Sequence, residues 1–78
     1  MANRDKFTDG YKDLIARLVQ LRRDAGVTQA AVAEALGTDQ SQVSKLERGE
    51  RRLDVIDYVR YCRAIGTNPG TLLSAEWP

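Results

Sequence analysis

Gln40, Ser41, Ser44 and Lys45 bring an amide, two hydroxyls and an ammonium onto one stretch whose apolar members, Val43 and Leu46, recur at helical spacing. At about 100° per residue these polar groups and Arg48 fall opposite Val43, Leu46 and Glu47, with Gln40 at the N-terminal tip. Such a face has no large apolar group to bury, and its donors and acceptors have the lengths that reach base edges in a nucleic-acid groove. Its chemistry is recognition rather than bond making. A polar outward face is also what any solvated helix shows, so its meaning depends on what precedes it.

Reaction chemistry finds little here. The chain has 78 residues, no histidine and a single cysteine, Cys62, so a nucleophile paired with a base and a metal site both lack their usual side chains. Clustered carboxylates with a plausible pocket and a phosphate-binding glycine loop are missing too, so neither an enzyme nor a cofactor is expected. One small core fits this length, and function belongs on the surface. Apolar residues make up 42% and charged residues 29% of the chain, a balance that folds rather than one that stays disordered.

Twelve basic against eleven acidic residues leave a net charge of +1, so total charge does not announce a polyanionic partner. Placement says more: Lys45, Arg48, Arg51 and Arg52 lie close together, while Asp54 and Asp57 follow. That run fits a phosphate-facing edge or a solvated surface. A lone cysteine gives no intrachain disulfide, no apolar run approaches a membrane span, and MANRDKFTDG lacks the apolar core of a signal peptide; a cytoplasmic location is expected.

The elements that must position this face read as helices. Leu14, Leu18, Leu21 and Ala25, widened by Tyr11, Ile15 and Val19, predict a helix over 11–25 whose wet side carries Lys12, Asp13, Arg17 and Arg23. Residues 1–10 read as a loose N-terminal arm, and residues 11–78 as one domain. Gly26 closes the first helix, Val27 folds back on the core, and Thr28 caps a helix over 29–36. Gly37 turns the chain, and Asp39 caps a helix from Gln40 to about Arg48, with Gln42 at capping-box spacing. Leu53 returns to the core, and Asp54 caps a fourth helix with a Val55, Val59, Cys62, Ile65 stripe. Cys62 reads as a small buried apolar residue. Gly66 ends that helix, and Asn68 and Pro69 open a short fifth one that offers Leu72 and Leu73. No strand pattern competes.

Ala33 supplies a small side chain where the second and third helices approach, Gly37 makes the turn, and Val43 and Leu46 lock the third helix against Val32, Leu36 and the first helix. Each feature alone is ordinary helix packing; their joint spacing is not. Here the sequence TQAAVAEALGTDQSQVSKLERGE resembles the helix-turn-helix domains of the phage lambda repressor and Cro family, the Xre-like regulators. The resemblance runs from about Leu14 to Leu73. It implies an all-α, five-helix bundle in which the third helix enters the major groove and the second crosses above it.

Position by position, the resemblance implies that Gln29 bonds a phosphate and buttresses Gln40, and that Gln40, Ser41, Ser44 and Lys45 face the groove. Gln42 then lies on the phosphate flank, and Arg22 is held near DNA by Glu47. Because Glu47 falls on the inward side of its helix, an arginine neighbour is also expected on physical grounds. Arg22 then serves DNA or the fold alone. Arg48 and Lys45 replace residues common in the phage proteins, so the base code does not transfer. Lys45 reaches either a guanine or a phosphate, and Arg51 and Arg52 read as backbone contacts or solvated charge.

The function implied is a sequence-specific regulator of transcription, a repressor, bound as a two-fold dimer to an inverted repeat with half-sites about 10 bp apart or a multiple. Leu72, Leu73 and Trp77 either cover the monomer core or form the dimer surface. The alternative is a protein-interaction module, such as an antitoxin that meets its toxin through the fourth helix and the tail.

Overall fold

Thr28, Asp39, Asp54 and Asn68 each place a side-chain oxygen against the backbone N–H of the residue three positions on, at 2.8 to 3.1 Å. These caps set where four of the helices begin. In the computed structural model, which describes residues 2–76 and the side chains of residues 10–74, the order is α1 (Ala2–Asp24), α2 (Gln29–Leu36), α3 (Gln40–Glu47), α4 (Val55–Ala64) and α5 (Pro69–Glu76). No strand occurs among the described residues, and no helix there is long and apolar enough to cross a membrane.

Gly37 ends α2 at φ 70°, a left-handed conformation that glycine adopts without side-chain cost. Its N–H reaches Glu34 O, and the next N–H, from Thr38, reaches Ala33 O at 2.9 Å. The last carbonyls of α2 are thereby satisfied while the chain reverses into α3. Helices of eight residues are too short to persist alone. Their stability comes from the core: Val32, Ala33 and Leu36 of α2 and Val43 and Leu46 of α3 are buried with Leu14, Ile15 and Leu18 of α1. Full burial of each large aliphatic side chain contributes about 1.5–3 kcal/mol. α2 packs on α3 and α4, α1 on α3 and α5, and α4 on α5.

Four sequence expectations change. α1 starts at Ala2 rather than Tyr11, so the segment read as an arm is helical from residue 2 on. It holds no proline, and its one glycine, Gly10, costs only about 1 kcal/mol in a helix interior. Ala25 is exposed because it follows the last helical residue and leaves the stripe. The buried face of α4 is Tyr58, Tyr61 and Cys62, continued by Ile65, with Val59 half-buried and Val55 75% exposed. Tyr58, Tyr61, Cys62 and Ile65 share a helical stripe as good as the aliphatic one, and the tyrosines bury more area. In α5, Leu72 is core whereas Leu73 is 38% exposed; Trp77 lies outside the described residues.

Both tyrosine hydroxyls need partners once buried. Tyr58 Oη donates to Pro69 O at 2.6 Å, tying α4 to the start of α5. Tyr61 Oη donates to Glu47 Oε2 at 2.6 Å, tying α4 to the end of α3. Arg22 of α1 meets the same carboxylate with both sides of its fork: Nε to Oε2 at 2.8 Å and Nη2 to Oε1 at 2.9 Å. Its third nitrogen, Nη1, donates to Val27 O at 3.0 Å. Gln29 Nε2 completes the set, donating to Oε1 at 2.9 Å. Each carboxylate oxygen thus accepts two hydrogen bonds, and the paired side chains are only 10% (Arg22) and 7% (Glu47) exposed.

Burial by itself would raise the Glu47 carboxyl; the hydrogen bonds from Arg22, Tyr61 and Gln29 outweigh it and hold the group below its ordinary value. Loss of the carboxylate leaves a buried guanidinium unpaired, so Glu47→Ala is expected to destabilise the fold by about 3 kcal/mol in urea unfolding. The pH dependence follows from the direction of the shift: a depressed folded value gives stability that is complete above the ordinary carboxylate range and is lost as pH falls through the folded value. Unfolding midpoints of the wild type should therefore drop below about pH 4.5, the ordinary Glu value, more steeply than those of Glu47→Gln. Parallel profiles would show that this carboxylate does not govern acid stability.

Candidate nucleic-acid interface

The outward side of α3 is held from behind by Val43 and Leu46, which are 0% and 1% exposed, and by the Glu47 cluster. Gln40, Ser41 and Lys45 are exposed, and Gln42 and Ser44 half-buried. The positions assigned to the groove therefore share one accessible face, and those assigned to support, Ala33, Gly37, Val43, Leu46 and Glu47, form its backing and its turn.

Local hydrogen bonds give these polar groups defined roles. Ser41 Oγ donates to Asp39 Oδ1 at 2.7 Å, so its hydroxyl proton is committed to the cap and its lone pairs remain. That bond first, and the Gln42 N–H second, hold the Asp39 carboxyl below its ordinary range. Only one half of the expected capping box is found among the described hydrogen bonds: Asp39 Oδ1 accepts from the Gln42 N–H at 3.0 Å, with no return bond from the Gln42 side chain. Ser44 Oγ accepts from Arg48 Nη1, which leaves its own O–H free to donate. Lys45 makes no hydrogen bond or ion pair among the described residues, and its ammonium is fully available. Gln40 Nε2 donates to Gln29 Oε1 at 3.4 Å, a long and weak bond between exposed amides.

The arginines around this face are each engaged inside the molecule. Arg22 is held by Glu47. Arg48 pairs with Glu50 at 2.7 Å, both side chains more than half exposed, and each favours the other's charged form. Arg51 Nη2 stands 3.8 Å from Asp57 Oδ2, while its Nη1 is buried without a hydrogen-bond partner. Arg52 lies over the Tyr11 ring, 5.6 Å from its centroid. Tyr11 also accepts from the Leu53 N–H at 2.9 Å, which pins the loop between α3 and α4 to α1. Nearly neutral total charge is thus matched by local pairing.

Sequence reasoning missed Tyr61, Tyr11, Glu50 and Asp57 as partners of the site. Glu50, two residues after Arg48, was readable as an ion pair. Asp57 was visible only as an acid following the arginines, and the two tyrosine hydroxyls act across distances that no local spacing displays.

A helix-turn-helix domain family matches residues 13–75. Among solved structures, the chain is similar to an XRE-family like protein from Pseudomonas syringae pv. tomato str. DC3000, at 45% identity and a TM-score of 0.90, over 96% of this chain and 92% of that one. No curated protein matches the sequence. The matched span contains the whole α2–turn–α3 unit, its Arg22–Glu47 support and the loop to α4. The chain belongs to the helix-turn-helix family, as an Xre-like DNA-binding domain.

Proposed function

We propose that this protein is a sequence-specific regulator of transcription, a repressor that occupies an operator with α3 in the major groove. One observation carries the reading: an exposed edge bearing Gln40, Ser41, Ser44 and Lys45 rests on a helix whose back is locked by Val43, Leu46 and Glu47. Rigid positioning of short polar groups is what base-edge recognition needs. Gln29, Gln42, Arg22, Arg48, Arg51 and Arg52 border this edge as phosphate contacts in the proposal, with Arg48, Arg51 and Arg52 exchanging internal partners for DNA oxygens and Arg22 keeping its pair with Glu47.

One recognition helix covers few base pairs, so the proposal includes a homodimer on an inverted repeat with centres about 10 bp apart or a multiple. A second reading, a protein-interaction module such as an antitoxin bound to a toxin, draws support from Val55 and Ile56, 75% and 59% exposed at the head of α4. Sedimentation separates these assemblies: a 2:1 complex with a two-half-site duplex supports the dimer, and a monomer on the same duplex removes it.

Selection from random duplex DNA followed by footprinting tests the main proposal and is expected to return a two-fold motif. On that motif, Gln40→Ala is expected to lose about 1–3 kcal/mol of discrimination at one position per half-site. Equal losses on cognate and random DNA would remove the base-reading role of Gln40. Arg51→Ala should instead weaken all duplexes alike and flatten the dependence of affinity on salt. Glu50→Gln, which releases Arg48 from its ion pair, should strengthen binding to cognate and random duplexes together; a gain confined to the cognate site would place Arg48 on a base.

A further inference from the structure

Ser41 and Ser44 both lie on the side of α3 assigned to the groove, but their hydroxyls are set in opposite senses. A serine oxygen carries one proton and two acceptor lone pairs. Ser41 Oγ gives its proton to Asp39 Oδ1 at 2.7 Å, and that oxygen is itself pinned at the head of the helix by the Gln42 N–H at 3.0 Å. Ser44 Oγ instead accepts from Arg48 Nη1, so its O–H is the group left to present. An O–H bond to a carboxylate is about twice as strong as one between neutral groups. A carbonyl or ring nitrogen of a base therefore does not draw the Ser41 proton away from Asp39, and the carboxylate charge beside it repels such acceptors while attracting an amino group. The Ser41 bond, the Gln42 N–H and the Lys45 ammonium all favour the charged form of Asp39.

We propose that Asp39, the N-cap of α3, is also a positioning residue for recognition: it makes Ser41 a hydrogen-bond acceptor and so selects a base that offers an exocyclic amino group opposite Ser41. In the major groove those groups are adenine N6 and cytosine N4, whereas the polar atoms of guanine and thymine there, O6, N7 and O4, are all acceptors. The inference rests on the proposed DNA reading and adds the chemical class of base that one side chain takes. It also gives the face a direction along the helix, with an acceptor at Ser41 near its start and donors at Ser44 and Lys45 one turn on.

The test is the relative affinity of the folded protein for selected duplexes carrying each of the four bases at the position whose preference Ser41→Ala abolishes, with thermal unfolding measured in parallel. Wild type is expected to favour adenine or cytosine there over guanine and thymine by about fivefold. Asp39→Gly retains a residue that helix N-caps accept but releases the Ser41 hydroxyl to donate. The ratio should then fall close to one at this position, with the other positions unchanged. Asp39→Asn keeps Oδ1 for both the Gln42 N–H and Ser41, and should restore the preference for an amino-bearing base.

A wild-type preference for guanine or thymine at the Ser41 position overturns the inference, as does a ratio that Asp39→Gly leaves unchanged. So does a loss in Asp39→Gly spread evenly over every position and following its melting temperature, since Asp39 then acts only by starting the helix. Ser41→Ala without effect at any position overturns it too, while leaving the regulator proposal standing. If wild type selects no base at any position, that proposal itself fails and takes this inference with it.

Discussion

A carboxylate buried between three helices, with both oxygens saturated, is the constraint on which the presented face of this protein depends. Glu47 sits at the end of α3 and gathers Arg22 from α1, Gln29 from the start of α2 and Tyr61 from α4. Desolvation makes such a charge costly unless every lone pair is used, and here all the partners are supplied by elements that must be in register for the core to close. Apolar packing of Val43 and Leu46 holds α3 against the bundle. The hydrogen bonds to Glu47 add what apolar contacts lack, directional ties from α1, the start of α2 and α4 to the end of α3.

Electrostatics in the rest of the molecule follow the same economy. With a net charge of +1 and Arg22, Arg48 and Arg51 each facing a carboxylate, the surface lacks the continuous positive field that draws proteins to any polyanion. Exposed pairs such as Arg48 with Glu50 are weak and open readily to a phosphate. The buried Arg22–Glu47 pair is of a different kind, and its rupture on binding would sacrifice the setting of α3. On the proposed reading, base-facing groups supply preference and modest phosphate contacts supply affinity.

Much of this was legible in the residues themselves. Caps at Thr28, Asp39, Asp54 and Asn68 have short-range causes, and all four meet the amides that their spacing predicts. The Arg22–Glu47 pair was readable because a carboxylate on an inward helical face demands a cation. The α4 stripe was misjudged because aliphatic spacing competed with an equally periodic set of aromatics, and burial of Tyr58 and Tyr61 rests on hydroxyl partners, Pro69 O and Glu47, contributed by other elements. Arg51 and Arg52 read from the sequence as backbone contacts or solvated charge; their pairing with Asp57 and stacking on Tyr11 depend on how the loop after α3 folds over α1, which no helical period encodes. Helix extent at the N-terminus was underestimated because apolar periodicity, rather than the absence of a strong breaker, was used to place its start.

Amide chemical-shift mapping during titration with a duplex selected from random DNA tests the central claim most directly. The account predicts that the largest changes fall on Gln40 to Lys45 and on Gln29, with the backbone of Val43 and Leu46 following as α3 enters the groove. Largest changes along α4 and α5, with the Gln40 to Lys45 edge unmoved, would contradict it.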